Sequence, residues 1–304
     1  MADWDSDDHR DDDGDWGQRD GDGRAQSDGG DWDTGTDPQP RGASPDAAGG
    51  SGDTDATATL GSVLKMSGIS LGLVGIALVV SNAAFLLVAV LATAVGVNVL
   101  DDLALQLVLS TVLLQGIGFG TAALVYLRYN DLGFEYVRAR MPTWNDIKWT
   151  IGAFVAGYGL LIAGSLLLTA LGISSEGHSI AETASGNPEI LLVLIPLSFL
   201  LVGPGEELLF RGVIQNAFVD RVGVGGGIVA SSAIFVSIHL PNYGWTDGLP
   251  TLGVLFVVTM VWGYVYERTD SLFVPAMAHG AFNAVQFAAL YASMTSGAAT
   301  GLLW

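Results

Sequence analysis

The chain has 304 residues, half of them hydrophobic and only 14% charged, a balance that comes from long apolar runs and is foreign to soluble domains of this size. Its formal charge of −19 sits mostly at the front, where residues 1–60 hold 17 Asp against 4 Arg and so carry −13 of the total. With no cysteine, the sequence excludes disulfides, thiolate metal ligands, cysteine nucleophiles and palmitoylation.

Residues 1–62 read as a disordered, Asp-rich cytoplasmic tail, because Gly, Asp, Ser and Thr dominate and too few aliphatic side chains are present to offset the entropy of ordering. This acidic, lysine-poor composition resembles the surface chemistry of salt-adapted archaeal proteins. No secretory signal is expected, since the first apolar run starts near residue 67 behind the tail. Residues 63–304 read as an all-α, polytopic transmembrane helical bundle of about seven to eight spans. Apolar stretches near the length a span requires lie at 67–96, 103–127, 149–172, 189–218, 224–240, 250–267 and 272–294. An eighth would arise if the first were split or the fourth broke at Pro204.

The cations of this domain are Lys65, Arg128, Arg138, Arg140, Lys148, Arg211, Arg221 and Arg268, and all fall on one side of that topology. The opposite loops, about 97–102, 173–188 and 241–249, contain no Lys or Arg, so the N-terminus is expected in the cytoplasm and the C-terminus outside the cell membrane. Tyr126, Tyr129, Trp144, Trp149, Tyr243, Trp245, Tyr266 and Trp304 are expected in the interfacial belts. Gly68 with Gly72 and Gly116 with Gly120 are spaced for close helix crossings.

Ionisable side chains inside a bilayer are costly and therefore informative. Within the expected spans they are Glu206, Glu207, Arg211, His239 and His279, with Asn283 as the main amide companion. Asn82, Gln115 and Asn216 read instead as interhelical hydrogen-bonding groups. Glu207 and Arg211 stand four apart in the order that favours an ion pair, while Glu206, rotated by about 100°, faces another surface and is the candidate base. Phe235 shares a face with His239, and His279 with Asn283. If the fourth helix runs unbroken to about 219 and the fifth starts equally far out, the rise per residue brings Glu206, His239 and His279 together in the cytoplasmic third of the membrane. Helix physics alone also permits a structural reading, in which Glu207 and Arg211 are a buried pair and the histidines bridge helices.

These residues carry a resemblance. GPGEELLFRG fits an EExxxR signature, FVSIH fits FxxxH and HGAFN fits HxxxN, in order and on three apolar stretches. Together they resemble the CPBP family of intramembrane proteases, which includes the type II CaaX prenyl endopeptidases and bacteriocin-processing or immunity homologues, with the protease-like core at about 149–294. The resemblance implies an endopeptidase in which Glu206 activates water with help from His239, His279 and Asn283 stabilise the oxyanion, and Glu207 and Arg211 hold the helix and its charge balance. It implies a membrane-anchored protein or peptide substrate, lipidated or not, and no nucleic-acid partner. A divalent metal such as zinc on Glu206, His239 and His279 remains open, although the lack of HExxH favours a metal-free water. The alternatives are a non-catalytic scaffold or immunity-like binding protein and, third, a transporter, against which stands the lack of repeated halves.

Overall fold

The computed structural model describes residues 52–173 and 180–296. The expected disorder of residues 1–51 and the expected belt residue Trp304 lie outside them. Among the described residues all regular structure is helical, as the composition implies. The long helices are α1 (Gly52–Ala94), α2 (Leu103–Tyr129), α3 (Trp144–Ala170), α4 (Ile190–Ser237), α5 (Leu249–Thr269) and α6 (Phe273–Ser296). α1 thus begins at Gly52 rather than after residue 62, and it runs unbroken where a split was considered.

Five of these, α1 through α5, are long and apolar enough to cross a membrane. α6 has the length but not the hydropathy, because His279, Asn283 and Gln286 interrupt it. The expected fourth and fifth stretches fall within α4, whose helix passes through Pro204 without a break. Two π-helical turns, Ser198–Val202 and Leu208–Gln215, flank that proline and absorb the hydrogen bond it cannot make.

α4 nevertheless doubles back. Gly223 has φ 72° and ψ 174°, a conformation open essentially to glycine alone. The Ser231 hydroxyl lies 3.4 Å from Arg211 Nη1 and 3.3 Å from Gln215 Oε1. Along a straight helix these residues would be separated by about 24–30 Å. Residues 190–222 and 224–237 are therefore antiparallel legs, joined where the sequence pattern placed a turn.

The first leg is the centre of the bundle. Leu209, Phe210, Val213, Ile214, Ala217 and Phe218 fill one half of it and Arg211 and Gln215 lie on the other, and each is fully buried. α3 is the opposite case, with Ile151, Val155, Leu166 and Leu167 exposed along its length. In an apolar medium burial alone gives helices little reason to associate, so close backbone approach carries the packing. A Cβ on Gly203 would stand 2.2 Å from the Ala276 carbonyl oxygen of α6, and one on Gly205 would stand 2.2 Å from the Gln115 carbonyl oxygen of α2. The two glycines of GPGEE thus seat α4 against α6 on one side and α2 on the other.

The glycine pairs singled out by spacing do not play this part: Gly68, Gly72 and Gly120 meet nothing within 4 Å, and Gly116 meets only the Leu201 side chain. The crossing of α1 with α2 is at Gly118, 2.7 Å from the Ala77 carbonyl oxygen on the same measure. Two of the expected belt aromatics are also core residues. Tyr126 is buried, and Tyr266 is fully buried with its hydroxyl accepting from Asn216, whereas Tyr129, Trp144 and Trp245 are exposed as expected.

The charged residues gather at one end. Arg138 bonds Glu267 at 3.0 Å and approaches Asp270 at 3.3 Å, and Arg140 forks onto Asp146 at 2.8 and 2.9 Å. Tyr136 donates to Asp220 at 3.4 Å, and burial pushes its phenol above the ordinary value, so it stays a donor. The segment 134–143 is thereby tied to the Gly223 turn and to the α5–α6 junction. A capping box at Thr143 and Asp146 starts α3 from the same cluster.

Candidate active site

Glu206 and Glu207 sit between the two π-helical turns of α4, near the middle of its first leg. Both are buried, with Glu206 at 6% and Glu207 at 0% exposure, yet their surroundings differ. Glu207 is fully engaged. Its Oε2 accepts from Arg211 Nε at 3.0 Å, and its Oε1 faces His279 Nδ1 at 2.9 Å. Arg211 is itself enclosed, with Nη1 3.4 Å from the Ser231 hydroxyl, Nη2 donating to the Thr259 carbonyl at 3.2 Å, and its charge 5.5 Å above the Phe235 ring. The pair anticipated from the i, i+4 spacing is thus the electrostatic anchor of three elements.

Glu206 is engaged on one side only. Its Oε1 accepts from Gln115 Nε2 of α2 at 2.7 Å. Its Oε2 has no hydrogen-bond partner among the described residues and lies 3.7 Å from His279 Nε2, an ion-pair distance too long for a hydrogen bond. A buried carboxylate oxygen left open in this way marks a place where the protein keeps an acceptor for something else. That oxygen belongs to a residue lining a cavity of about 530 Å³, which His239, His279 and Asn283 also line.

Phe235 links the three motifs. Almost fully buried, it packs edge-on against Phe210 at 5.0 Å, stacks on His239 at 4.6 Å and meets His279 at 5.8 Å. The imidazoles therefore approach from two helices onto one ring, which is the meeting that the rise per residue anticipated. His239 lies just past the end of α4, before a short helix (Leu240–Tyr243) opened by Pro241, and its Nδ1 is 2.8 Å from the Phe235 carbonyl. That contact turns Nε2 into the only ring nitrogen left for the cavity. Asn283 makes no hydrogen bond among the described residues, which leaves its amide available there.

Two residues of this site were not singled out as such by the sequence. Gln115 was read as a bridging amide and does bridge helices, but onto Glu206 itself, from outside the expected core at 149–294. Trp262 of α5 stacks on the His279 ring at 4.3 Å and 17°, so the imidazole is clamped between an indole and the Glu207 carboxylate. The first could have been found by asking which intramembrane amide accompanies a lone carboxylate. The second gives no signal distinct from any core aromatic.

A chain of hydrogen bonds joins this site to the charged end. Glu267 accepts from both Arg138 and Gln215, Gln215 accepts from Ser231, Ser231 meets Arg211, and Arg211 holds Glu207 and through it His279. Asn216 adds a branch, donating to the Tyr136 carbonyl at 2.7 Å and the Tyr266 hydroxyl at 2.9 Å.

The donors do not form a ready metal-binding set. Among the described residues no three His, Cys, Asp or Glu side chains converge closely enough to hold an ion, so Glu206, His239 and His279 do not compose the three-ligand arrangement of a catalytic zinc site.

Comparison with known proteins falls on the same segment. Residues 188–285 match the family model described as "Type II CAAX prenyl endopeptidase Rce1-like". An Escherichia coli protein described as "Uncharacterized 24.3 kDa protein" is 29% identical over 137 residues, covering 44% of this chain and 59% of its own length. A Bacillus subtilis (strain 168) protein, "Uncharacterized protein YpbD", is 29% identical over 158 residues, 50% of this chain and 75% of its own length. This chain therefore spans 59% of the length of the first of these relatives. No solved structure matches. The apolar helices together with this match make the chain a multi-pass membrane protein. Residues 188–285, which contain all three motifs, thus match the Rce1-like family model, consistent with the CPBP proteases.

Proposed function

We propose that this protein is an intramembrane endopeptidase that hydrolyses membrane-anchored protein or peptide substrates, with Glu206 as the base that activates water. The observation that supports this most is the division of labour between adjacent carboxylates: Glu207 is committed to Arg211 and His279, while Glu206 keeps one oxygen open beside a cavity. A general base must reach water, and an open carboxylate oxygen on a residue lining a cavity meets that condition.

In this reading Glu206 Oε2 takes a proton from water as the oxygen attacks the substrate carbonyl. Gln115 orients the carboxylate from its other side. His239 Nε2 and the Asn283 amide face the same space and serve to position the water and receive the oxyanion, together with His279, whose ring is fixed by Glu207 and Trp262. Glu206 then delivers the proton to the leaving amine, so that water and a peptide bond become an acid and an amine. No step passes through a metal. The seven-crossing topology, with the turn at Gly223 and the α5–α6 junction on the cytoplasmic side and the C-terminus outside, belongs to the same proposal and rests on the clustering of Arg138, Arg140, Arg221 and Arg268 at one end.

The test is a comparison of protein termini, by mass spectrometry, in membranes from cells with the wild-type chain and with Glu206→Gln. Termini that arise with the first and vanish with the second support the proposal. Identical termini in both contradict it.

A further inference from the structure

The cavity extends well beyond the catalytic cluster. Asn283 and Gln286 continue the His279 face of α6 at i+4 and i+7, and Gln286 lines the cavity. The cavity is also lined by Asn242, from the short helix after His239. Neither Gln286 nor Asn242 uses its side-chain amide in a hydrogen bond among the described residues. By contrast, Asn82 and Gln106, also in the lining, are turned to the Leu78 and Leu100 carbonyls. Among the described residues the remaining lining is mainly apolar or hydroxylic, contains no Lys or Arg, and has Glu206 as its one carboxylate. Arg211, the nearest buried cation, is wholly engaged by Glu207, Ser231 and Thr259.

A polypeptide opened for hydrolysis within a bilayer brings backbone N–H and C=O groups that cost several kcal/mol each, roughly, when left unsatisfied. Neutral amides, which both donate and accept, are the side chains suited to receive them. The spacing fits. From His279 to Gln286 the helix rises about 10.5 Å, which equals about three residues of extended chain. We propose that Gln286 and Asn242 form a backbone-binding subsite for an extended, uncharged segment of a membrane-embedded substrate, about three residues from the bond that is cut. The substrate is then engaged along its interior; a free C-terminal carboxylate has no cation in the described lining to receive it.

This inference rests on the proteolytic reading, and its test is designed to separate the two. The probe is an N-acetylated, C-amidated, fluorophore-labelled membrane-spanning peptide of Leu and Ala interrupted by Gly-Ser-Gly. Its binding is measured by anisotropy with the full chain carrying Glu206→Gln in lipid nanodiscs. Loss of one neutral hydrogen bond corresponds to about a 2- to 12-fold change, so Gln286→Leu and Asn242→Leu are each expected to weaken binding by that order. An amide-to-ester replacement in the probe, about three residues from the Gly-Ser-Gly centre, should weaken binding to the parent chain but add nothing to the Gln286→Leu defect. Its comparison on the parent chain does not depend on how well a variant folds. A lysine at the same place in the probe should abolish binding.

Unchanged affinity for both leucine variants, equal binding of ester and amide probes, tight binding of the lysine probe, or no saturable binding would each overturn the subsite. If the chain with Glu206 intact leaves the probe uncut while the Gln286 and ester effects hold, the proteolytic reading fails and the subsite stands.

Discussion

The sharpest consequence of the site geometry is that two adjacent glutamates should fail in different ways. Glu207→Gln removes the charge that neutralises Arg211, leaving a fully buried guanidinium with only the Ser231 hydroxyl at 3.4 Å and the Thr259 carbonyl at 3.2 Å besides the new amide. Stranding a buried charge of this kind costs about 3–5 kcal/mol, so the variant should unfold at markedly lower denaturant or temperature and lose activity with its fold. Glu206→Gln keeps a carbonyl oxygen for Gln115 to donate to, and the ion-pair distance it gives up is already 3.7 Å. Its stability should therefore change by less than about 1 kcal/mol, while cleavage falls by about 10²- to 10⁴-fold, the usual contribution of a positioned base. The assay is unfolding in bicelles paired with cleavage of a membrane-anchored reporter. Wild-type cleavage by Glu206→Gln, or a Glu207→Gln protein that is stable yet inactive, would refute the assignment.

Gly203→Ala and Gly205→Ala should each destabilise the bundle by about 1–3 kcal/mol, because the new methyl group meets backbone rather than a movable side chain, while Gly68→Ala should be near neutral; thermal unfolding of the three side by side checks this. Gly223→Ala should cost about 1–3 kcal/mol through backbone strain at φ 72° and ψ 174°, visible as faster proteolysis at the α4 turn. Because no three donors converge on an ion among the described residues, chelators should leave cleavage of the reporter unchanged; loss of cleavage restored by zinc would show that the donors rearrange.

Much of the site was legible in the sequence because helix geometry turns a spacing of four into a shared face. The Glu207–Arg211 pair, the Phe235–His239 stack and the free side of Glu206 all follow from that rule. What spacing cannot supply is which face meets which neighbour. Gly68 and Gly72 satisfy the pattern for a crossing and cross nothing, while Gly203 and Gly205, two apart, contact opposite partners. Tyr266 shows a similar limit. An amphipathic ring suits an interface and equally suits a core in which Asn216 satisfies its hydroxyl, and only the fold decides. Gln115 was read rightly as an interhelical hydrogen-bonding group, but its partner, Glu206, lies 91 residues away and was not foreseen. The convergence of Glu206, His239 and His279 was foreseen, but not that the Phe235 carbonyl and Glu207 would each claim a ring nitrogen.

The reversal at Gly223 also makes the chain between the first two motifs a ruler. Phe235 meets Phe210 and Ser231 meets Arg211 only because the number of residues in the turn is right for both legs at once. Adding or removing one residue there would rotate everything beyond it by about 100° and shift it by about 1.5 Å, carrying His239 off the Phe235-centred cluster. Relatives built on the same site are therefore expected to keep the number of residues between Arg211 and Phe235, and a length change in that interval would be the clearest mark of a chain that has given up this arrangement.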